Sequence, residues 1–498
     1  MATITVDLDD VRAHVDRRIL SGFTEHLGRC IYGGIYDEGS PLSDEHGFRK
    51  DVLEAVRRLR PPVLRWPGGN FASGYHWLDG VGPKNSRPRR MDLAWHAEEP
   101  NRFGTDEFIS FCDAVGAEPY ICLNMGTGSV DEAQAWVEYC NGAGNTEWAA
   151  RRRDNGHDAP YRVRYWGLGN EMYGPWQIGQ MSADDYVKTA RQWAKVLKWT
   201  DPGIELVSCG QTGWTDWDQT VIAGLVEFAT WYSVHIYTGH DDYWPNVLAP
   251  HQAERAIRIA AALIEKARYN QRIAHPVHIA YDEWNVWFRD RSALQERYTL
   301  ADALAVATYL HAFVRYGDVV KMANLAQLVN VIAPIVTNKD GLFLQTIYHP
   351  LRLFGDYLGG FALAVRVECE REEFTDPTGP GTERAYRIAD LGPFPVLDAV
   401  ATRSGPDNLF MLSVINRSPD NAVTARLNIR GDFPAVAARV EELNAPAWEA
   451  VNSFEHPDTV TVQAAEIKDF VDGTSYRFPP HSQTVITCQP AAPGGHAG

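Results

Sequence analysis

No stretch of the 498-residue sequence is long and apolar enough to span a bilayer; the longest mostly apolar run, 325–336, is broken by Gln, Asn and Pro. The first ten residues hold neither a basic segment nor an apolar core, so no secretory signal is expected. Cysteine is sparse: seven residues, at 30, 112, 122, 140, 209, 369 and 488, with no CxxC pair and no Cys/His cluster at metal-binding spacing. An odd, scattered set of this kind predicts reduced thiols and argues against a disulfide framework or a structural zinc. Cations are in deficit, 47 Lys and Arg against 64 Asp and Glu, which gives a net charge of −17 and a pI near 5.4. Such a surface repels phosphates and anionic lipid, so nucleic-acid and membrane partners are not expected. A neutral substrate is not disfavoured, and the expected setting is the cytoplasm.

Aromatic residues, by contrast, are plentiful: 16 Trp and 21 Tyr in a chain that is 11% aromatic. Much of that serves packing, but aromatic faces also suit the apolar faces of sugar rings. From residue 19 onward, strand-like runs at 19–25, 63–70, 118–124, 164–171, 205–210, 232–237, 277–283 and 319–327 alternate with helical patterns at 48–60, 105–115, 131–140, 182–199, 252–269 and 299–316. Eight strands interleaved with helices predict an α/β fold, a (β/α)₈ TIM barrel spanning 18–360. Beyond 360 the pattern changes to short β-type runs at 365–369, 385–388, 409–416, 422–429, 459–463 and 483–488, punctuated by Pro, Gly, Asp and Asn. These predict a C-terminal all-β sandwich domain, jelly-roll-like, over 361–490. The N-terminal strand in 1–17 is expected to join it, and the Gly/Ala/Pro-rich tail 491–498 to be disordered. The basic runs 83–90 and 151–153 are short and read as solvated loops.

Polar residues gather where the barrel strands end: Glu25 and His26, Arg65 and Asn70, Asn124, Asn170 and Glu171, His235 and Tyr237, Asp282 and Glu283, and Gln327. In such a barrel these ends form the catalytic face. Two of them stand out. Trp166-Gly167-Leu168-Gly169-Asn170-Glu171 delivers a carboxylate into an aromatic turn ending in Trp176, where apolar walls would raise its pKa and keep it protonated as an acid. Ile279-Ala280-Tyr281-Asp282-Glu283-Trp284 delivers a second. A pair of strand-end glutamates points to glycoside hydrolysis, with Glu171 as proton donor and Glu283 as its partner. The Gly68-Gly69 turn lacks the Gly-Lys-Ser/Thr ending of a phosphate loop and reads as a tight turn that lets Asn70 reach the site.

Gly22-Phe23-Thr24-Glu25-His26-Leu27-Gly28-Arg29, Arg65-Trp66-Pro67-Gly68-Gly69-Asn70-Phe71, Gly169-Asn170-Glu171-Met172, Asp282-Glu283-Trp284-Asn285 and Leu325-Ala326-Gln327-Leu328-Val329-Asn330 together resemble the intracellular, exo-acting α-L-arabinofuranosidases of glycoside hydrolase family 51. The resemblance covers most of the barrel and, more loosely, the β domain. It implies Glu171 as acid/base and Glu283 as nucleophile of a retaining double displacement. It also implies that Glu25, Arg65, Asn70, Asn170, His235, Tyr237 and Gln327 hold the furanose and orient the pair, while Trp95, Trp176 and Trp287 line the pocket. No metal or cofactor is implied. The implied partners are arabinofuranosyl oligosaccharides of arabinoxylan or arabinan, and further copies of the chain, as a hexamer built from a trimer of dimers. Tyr173 departs from the family pattern, standing where many relatives carry Asp, and the segment after Trp287 is short; both bear on the leaving-group side. The competing readings are a β-xylosidase or β-glucanase on the same fold, a metal-dependent barrel hydrolase, and a non-catalytic carbohydrate-binding protein.

Overall fold

The computed structural model describes residues 2–288, 294–378, 387–405, 408–434 and 436–489, so the expected disorder of 491–498 lies outside the described residues. Eight parallel strands close a barrel in chain order: Ser21–Phe23, Val63–Trp66, Glu118–Cys122, Tyr165–Leu168, Glu205–Ser208, Trp231–Thr238, His278–Val286 and Val320–Ala326, the eighth pairing with the first. Each overlaps a predicted strand run, and the seventh extends three residues beyond it. Their inward side chains plug the barrel below the site: Val63, Tyr120, Tyr165, Val207, Trp231, Ala280 and Met322 form one buried cluster. Arg18 covers the lower end, its guanidinium 5.1 Å from the Trp231 ring centroid. The interior is thus filled, and only the C-terminal end of the barrel is open to a ligand.

The six predicted helices form where the apolar spacing placed them, while Glu147–Asp154, Asp216–Leu225, Tyr243–Leu248 and Tyr348–Tyr357 were not anticipated. Ser182 accepts a hydrogen bond from the Asp185 backbone N–H at the start of Ala183–Thr200, and Thr299 and Asp302 cap Leu300–Arg315 reciprocally. Leu300–Arg315 is buried on nearly every face because it lies between the barrel and the β domain.

Nine strands make up the second sheet, in the order Thr461–Phe470, Val436–Asn444, Ser482–Cys488, Phe410–Asn416, Leu397–Arg403, Phe361–Glu368, Ala2–His14, Val423–Arg430 and Thr474–Phe478. The N-terminal strand sits inside it, antiparallel to Phe361–Glu368 and parallel to Val423–Arg430. Alternate residues from both ends of the order, such as Leu427 and Phe478 at one and Val440 and Phe470 at the other, meet in a single apolar cluster. The sheet therefore curls around its own core, as a sandwich does.

Three readings are corrected. The run 385–388 is not a strand where it is described: Arg387 and Ile388 lead into the 3₁₀ turn Ala389–Leu391, while 385 and 386 lie outside the described residues. Strands at Leu397–Arg403, Val436–Asn444 and Thr474–Phe478 were not anticipated. The basic runs are not simply solvated loops. Arg152 is fully buried on the helix Glu147–Asp154, donating to the carbonyls of Tyr139, Gly142, His157 and Asp158, and Arg87 pairs with Glu107 at 2.9 Å. Each guanidinium satisfies loop carbonyls or a carboxylate that burial would otherwise strand.

A buried charged knot joins barrel to sheet. Asp398 of the sheet accepts from His311 Nδ1 at 3.0 Å and from Arg417 at 3.0 Å, and it also pairs with Arg315; His311 Nε2 meets Ser413 at 2.9 Å. Removing one partner of such a knot strands the others in a dry interior. Asp398→Asn should therefore cost about 3–5 kcal/mol of unfolding free energy, read as a lowered urea midpoint without a change in slope.

Candidate active site

The upper ends of the barrel strands enclose a cavity of about 990 Å³ walled by Glu25, Asn70, Trp95, Glu171, Trp176, His235, Tyr237, Glu283, Trp287 and Gln327, among others. Ten of the twelve predicted site residues are in that wall. Arg65 and Asn170 are not; they lie beneath it. Asn124 is turned away, holding its own loop through Tyr75 O, Thr127 and Gly126 N.

Each side chain is delivered by a local feature of the backbone. Glu171 ends its strand through a sharp turn in which Gly169 (φ +78°) and Glu171 itself (φ +43°) take left-handed conformations. For a glutamate this costs roughly 1 kcal/mol and is the kind of strain found where a side chain must be aimed. On the seventh strand, the register against both neighbours shifts between Ala280 and Trp284. That bulge lets two consecutive residues, Asp282 and Glu283, both serve the site. A Cβ on Gly68 would sit 2.5 Å from the Glu25 side chain, and one on Gly69 would sit 3.4 Å from Asn170 Nδ2 and 3.5 Å from Glu283. The two glycines thus let backbone pass where side chains already converge.

The carboxylates are held by distinct sets of donors. Glu283 accepts from Tyr237 at 2.8 Å and from Arg65 at 2.9 Å. Glu171 accepts from Trp176 Nε1 at 2.8 Å and faces His235 Nδ1 at 3.0 Å. One oxygen from each glutamate and a nitrogen of His235 all lie within 4.8 Å of one another. Both carboxylates are thereby engaged by proton-bearing donors, and His235 and Arg65 supply the balancing charge. Glu25 accepts from Phe71 N, Trp95 Nε1 and Gln327 Nε2 at 3.1, 3.0 and 2.9 Å. Burial and the neighbouring Glu283 charge nevertheless push its carboxyl up to about 8.

The floor beneath is polar and dry. Arg65 reaches Asn170 Oδ1 at 2.6 Å and stacks on Phe23 at 4.5 Å. Asp282 accepts from Tyr120 at 2.8 Å and Ser233 at 2.5 Å, and meets His235 Nε2 at 3.3 Å. Burial opposes its charge, but Arg65, His235 and Ser233 outweigh that and hold its carboxyl at about 2. Tyr120 and Ser233 were missed as site residues, and Asp282 was placed at its strand end without a role of its own. Their sequence signal was inward-facing polarity on strands otherwise apolar inside, and the bulge hid it for Asp282.

One expectation is reversed. Burial does push the Glu171 carboxyl up, but His235, Trp176 and Tyr173 donate to it and hold it below the ordinary carboxylate range. His235 in turn resists charging through burial, yet Glu283, Asp282 and Glu171 raise it to about 10.

The alpha-L-arabinofuranosidase 1 domain matches residues 55–255, and the alpha-L-arabinofuranosidase C-terminal domain matches 282–482. Alpha-L-arabinofuranosidase C of Emericella nidulans is 46% identical over 462 residues, covering 86% of this chain and 90% of its own. An intracellular exo-alpha-(1→5)-L-arabinofuranosidase of Halalkalibacterium halodurans is 42% identical over 399 residues, 75% of this chain and 80% of its own. Among solved structures, the alpha-L-arabinofuranosidase of Thermotoga maritima in complex with arabinose superposes with a TM-score of 0.90 at 42% identity, covering 98% of this chain and 100% of that one.

Asp282 offers a test of the floor. Its folded pKa of about 2 lies below its unfolded value, so its contribution is present above pH ~4 and is lost as pH falls from ~4 toward ~2. Asp282→Asn should lose about 2 kcal/mol at neutral pH. Urea melts across pH should show the gap to wild type closing below pH ~4.

Proposed function

The chain belongs to the α-L-arabinofuranosidases of glycoside hydrolase family 51 and hydrolyses terminal α-L-arabinofuranosides, and on that premise we propose that Glu283 is the nucleophile and Glu171 the acid/base of a retaining reaction. The observation that carries this is the spacing: oxygens of the two glutamates lie within 4.8 Å. A retaining pair stands about 5–5.5 Å apart, whereas an inverting pair needs ~6.5–9.5 Å to admit a water.

Glu283, fixed by Tyr237 and Arg65, attacks the anomeric carbon as Glu171 protonates the departing oxygen. Glu171 then takes a proton from the water that releases the sugar from Glu283. Asn170 is suited to the 2-OH. Its Oδ1 is committed to Arg65, while its buried Nδ2 has no partner among the described residues and lies next to Gly69, close to Glu283. Glu25, Asn70 and Gln327 face the remaining hydroxyls, and Trp95, Trp176 and Trp287 wall the ring. Arg65 acts from below on Glu283 and Asn170, so its role is to orient and not to touch the sugar.

The substrates we propose are short arabinoxylan or arabinan oligosaccharides, met in the cytoplasm by a homo-oligomer. The net charge of −17 favours neutral chains, and no described helix is long and apolar enough to cross a membrane.

Glu283→Gln should lower kcat on an aryl α-L-arabinofuranoside by roughly 10⁴-fold or more, and undiminished turnover would refute the assignment. Time-resolved NMR of the wild-type reaction should show α-arabinofuranose formed first; β first would mean inversion. Cleavage of an aryl β-xyloside alone would move the substrate and keep the pair. Loss of activity on chelation would favour a metal-dependent hydrolase instead.

A further inference from the structure

His235 touches three carboxylates. Its Nε2 lies 3.3 Å from Asp282 Oδ1, and its Nδ1 lies 3.0 Å from Glu171 Oε1 and 3.5 Å from Glu283 Oε2. The other polar groups around this cluster all act on those carboxylates. Arg65, Tyr120 and Ser233 bear on Asp282; Arg65, Tyr237 and the Glu25 carboxyl bear on Glu283; Tyr173 and Trp176 bear on Glu171, and the buried Cys209 thiol lies beside it.

These contacts fix where the protons can be. Asp282 accepts from Tyr120 and Ser233 and lies against the Arg65 guanidinium, so it is an ionised acceptor and His235 Nε2 must carry a hydrogen. Nδ1 then faces Glu171 in one of two ways. Either an imidazolium N–H points at a carboxylate, or a neutral ring accepts the O–H of a carboxylic acid. The two forms contain the same number of protons and differ only in which side of a 3.0 Å contact holds one. The Trp176 indole can only donate, so the other oxygen of Glu171 offers it no proton to share.

Resting on the acid/base role of Glu171 proposed above, we infer that the proton Glu171 delivers to the leaving group is stored on the His235 side of this contact in the free enzyme, with Asp282 fixing the tautomer that makes the transfer possible. The free enzyme holds Glu171 as carboxylate and His235 as imidazolium. A bound glycoside displaces water from Glu171, and loss of that water favours the uncharged pair over the ion pair. The Nδ1–H bond then breaks, an O–H bond forms on Glu171, and both charges vanish. When Glu283 attacks, Glu171 gives that proton to the departing oxygen, which keeps the electron pair of the broken C–O bond. In the second half Glu171 takes a proton from the attacking water, the bond to Glu283 breaks with its pair returning to Glu283, and the proton goes back to Nδ1. No proton is gained or lost over the cycle. His235 acts through Glu171 and is a positioning residue. The raised affinity of His235 for its proton and the lowered affinity of Glu171 agree with this resting state.

The test compares wild type, His235→Gln and Glu171→Gln on two arabinofuranosides, one with a nitrophenyl leaving group that needs little acid help and one with a methyl leaving group that needs it. Without the imidazole, Glu171 must hold its own proton beside the negative Glu283, so the alkaline limb of kcat/KM for His235→Gln should move at least one pH unit lower. At neutral pH the variant should lose roughly 10²-fold on the methyl glycoside and much less on the nitrophenyl one. Equal losses on both with an unmoved alkaline limb would mean a merely structural histidine and overturn the inference. Should the variant fold poorly, ¹⁵N NMR of histidine-labelled wild type decides: a doubly protonated His235 ring at neutral pH in the free enzyme is expected, and a neutral ring would overturn it. Glu171→Gln keeps the two failures apart, because full activity on the methyl glycoside would sink the acid assignment itself.

Discussion

One buried guanidinium sets the arrangement at the mouth of the barrel. Arg65 leaves the second strand, lies against Phe23 of the first, and reaches Asn170 beyond the fourth and both Asp282 and Glu283 of the seventh. A charge this deep is tolerated only when paired and hydrogen-bonded on several sides. One of the carboxylates it demands is Glu283, the nucleophile we propose. Its rigid fork also spaces them, because one nitrogen binds Glu283 while another binds the amide adjacent to Glu171. The separation of the two glutamates is in this sense a property of the floor and not of the wall.

The barrel was legible in the sequence because eight short apolar runs alternate with helical patterns, and seven of them stop at a polar residue. The β domain was only half legible. Val436–Asn444 contains Ala, Arg, Glu and Leu, residues with good helical propensity, and becomes a strand because it is paired on both sides, with Thr461–Phe470 and Ser482–Cys488. Leu397–Arg403 has no alternating pattern because both of its faces are covered, one by the domain's own core and one by the barrel helix that carries His311 and Arg315. Of the site, the wall was legible, and of the floor only Arg65 and Asn170 were assigned roles. Strand-end glutamates and tryptophans announce themselves by position, whereas Asp282, Tyr120 and Ser233 matter through contacts among the third, sixth and seventh strands that no local pattern encodes.

The ionisation of Glu171 was misjudged for the same reason. Apolar walls alone would keep a carboxyl neutral, and the aromatic turn after the fourth strand suggested that environment. His235, 64 positions away in sequence, reverses the sign by standing 3.0 Å from it. A histidine at a strand end can be read as a sugar ligand or as a charge partner, and its contacts with Glu171 two strands away and with Asp282 and Glu283 on the adjacent strand favour the second.

The charges at the bottom of the cavity do not cancel. Asp282, Glu171 and Glu283 face two cations, Arg65 and His235, leaving one negative charge at the bottom of the cavity. A neutral sugar gains little from that excess in its ground state. As the glycosidic bond breaks, positive charge develops on the ring, and a preorganised negative floor stabilises it without any reorganisation. The excess is limited by Glu25, which lies close enough to Glu283 for the two charges to repel and whose carboxyl is pushed up to about 8. Burial and that repulsion favour the protonated form of Glu25, so the floor meets the transition state without a second uncompensated carboxylate beside Glu283.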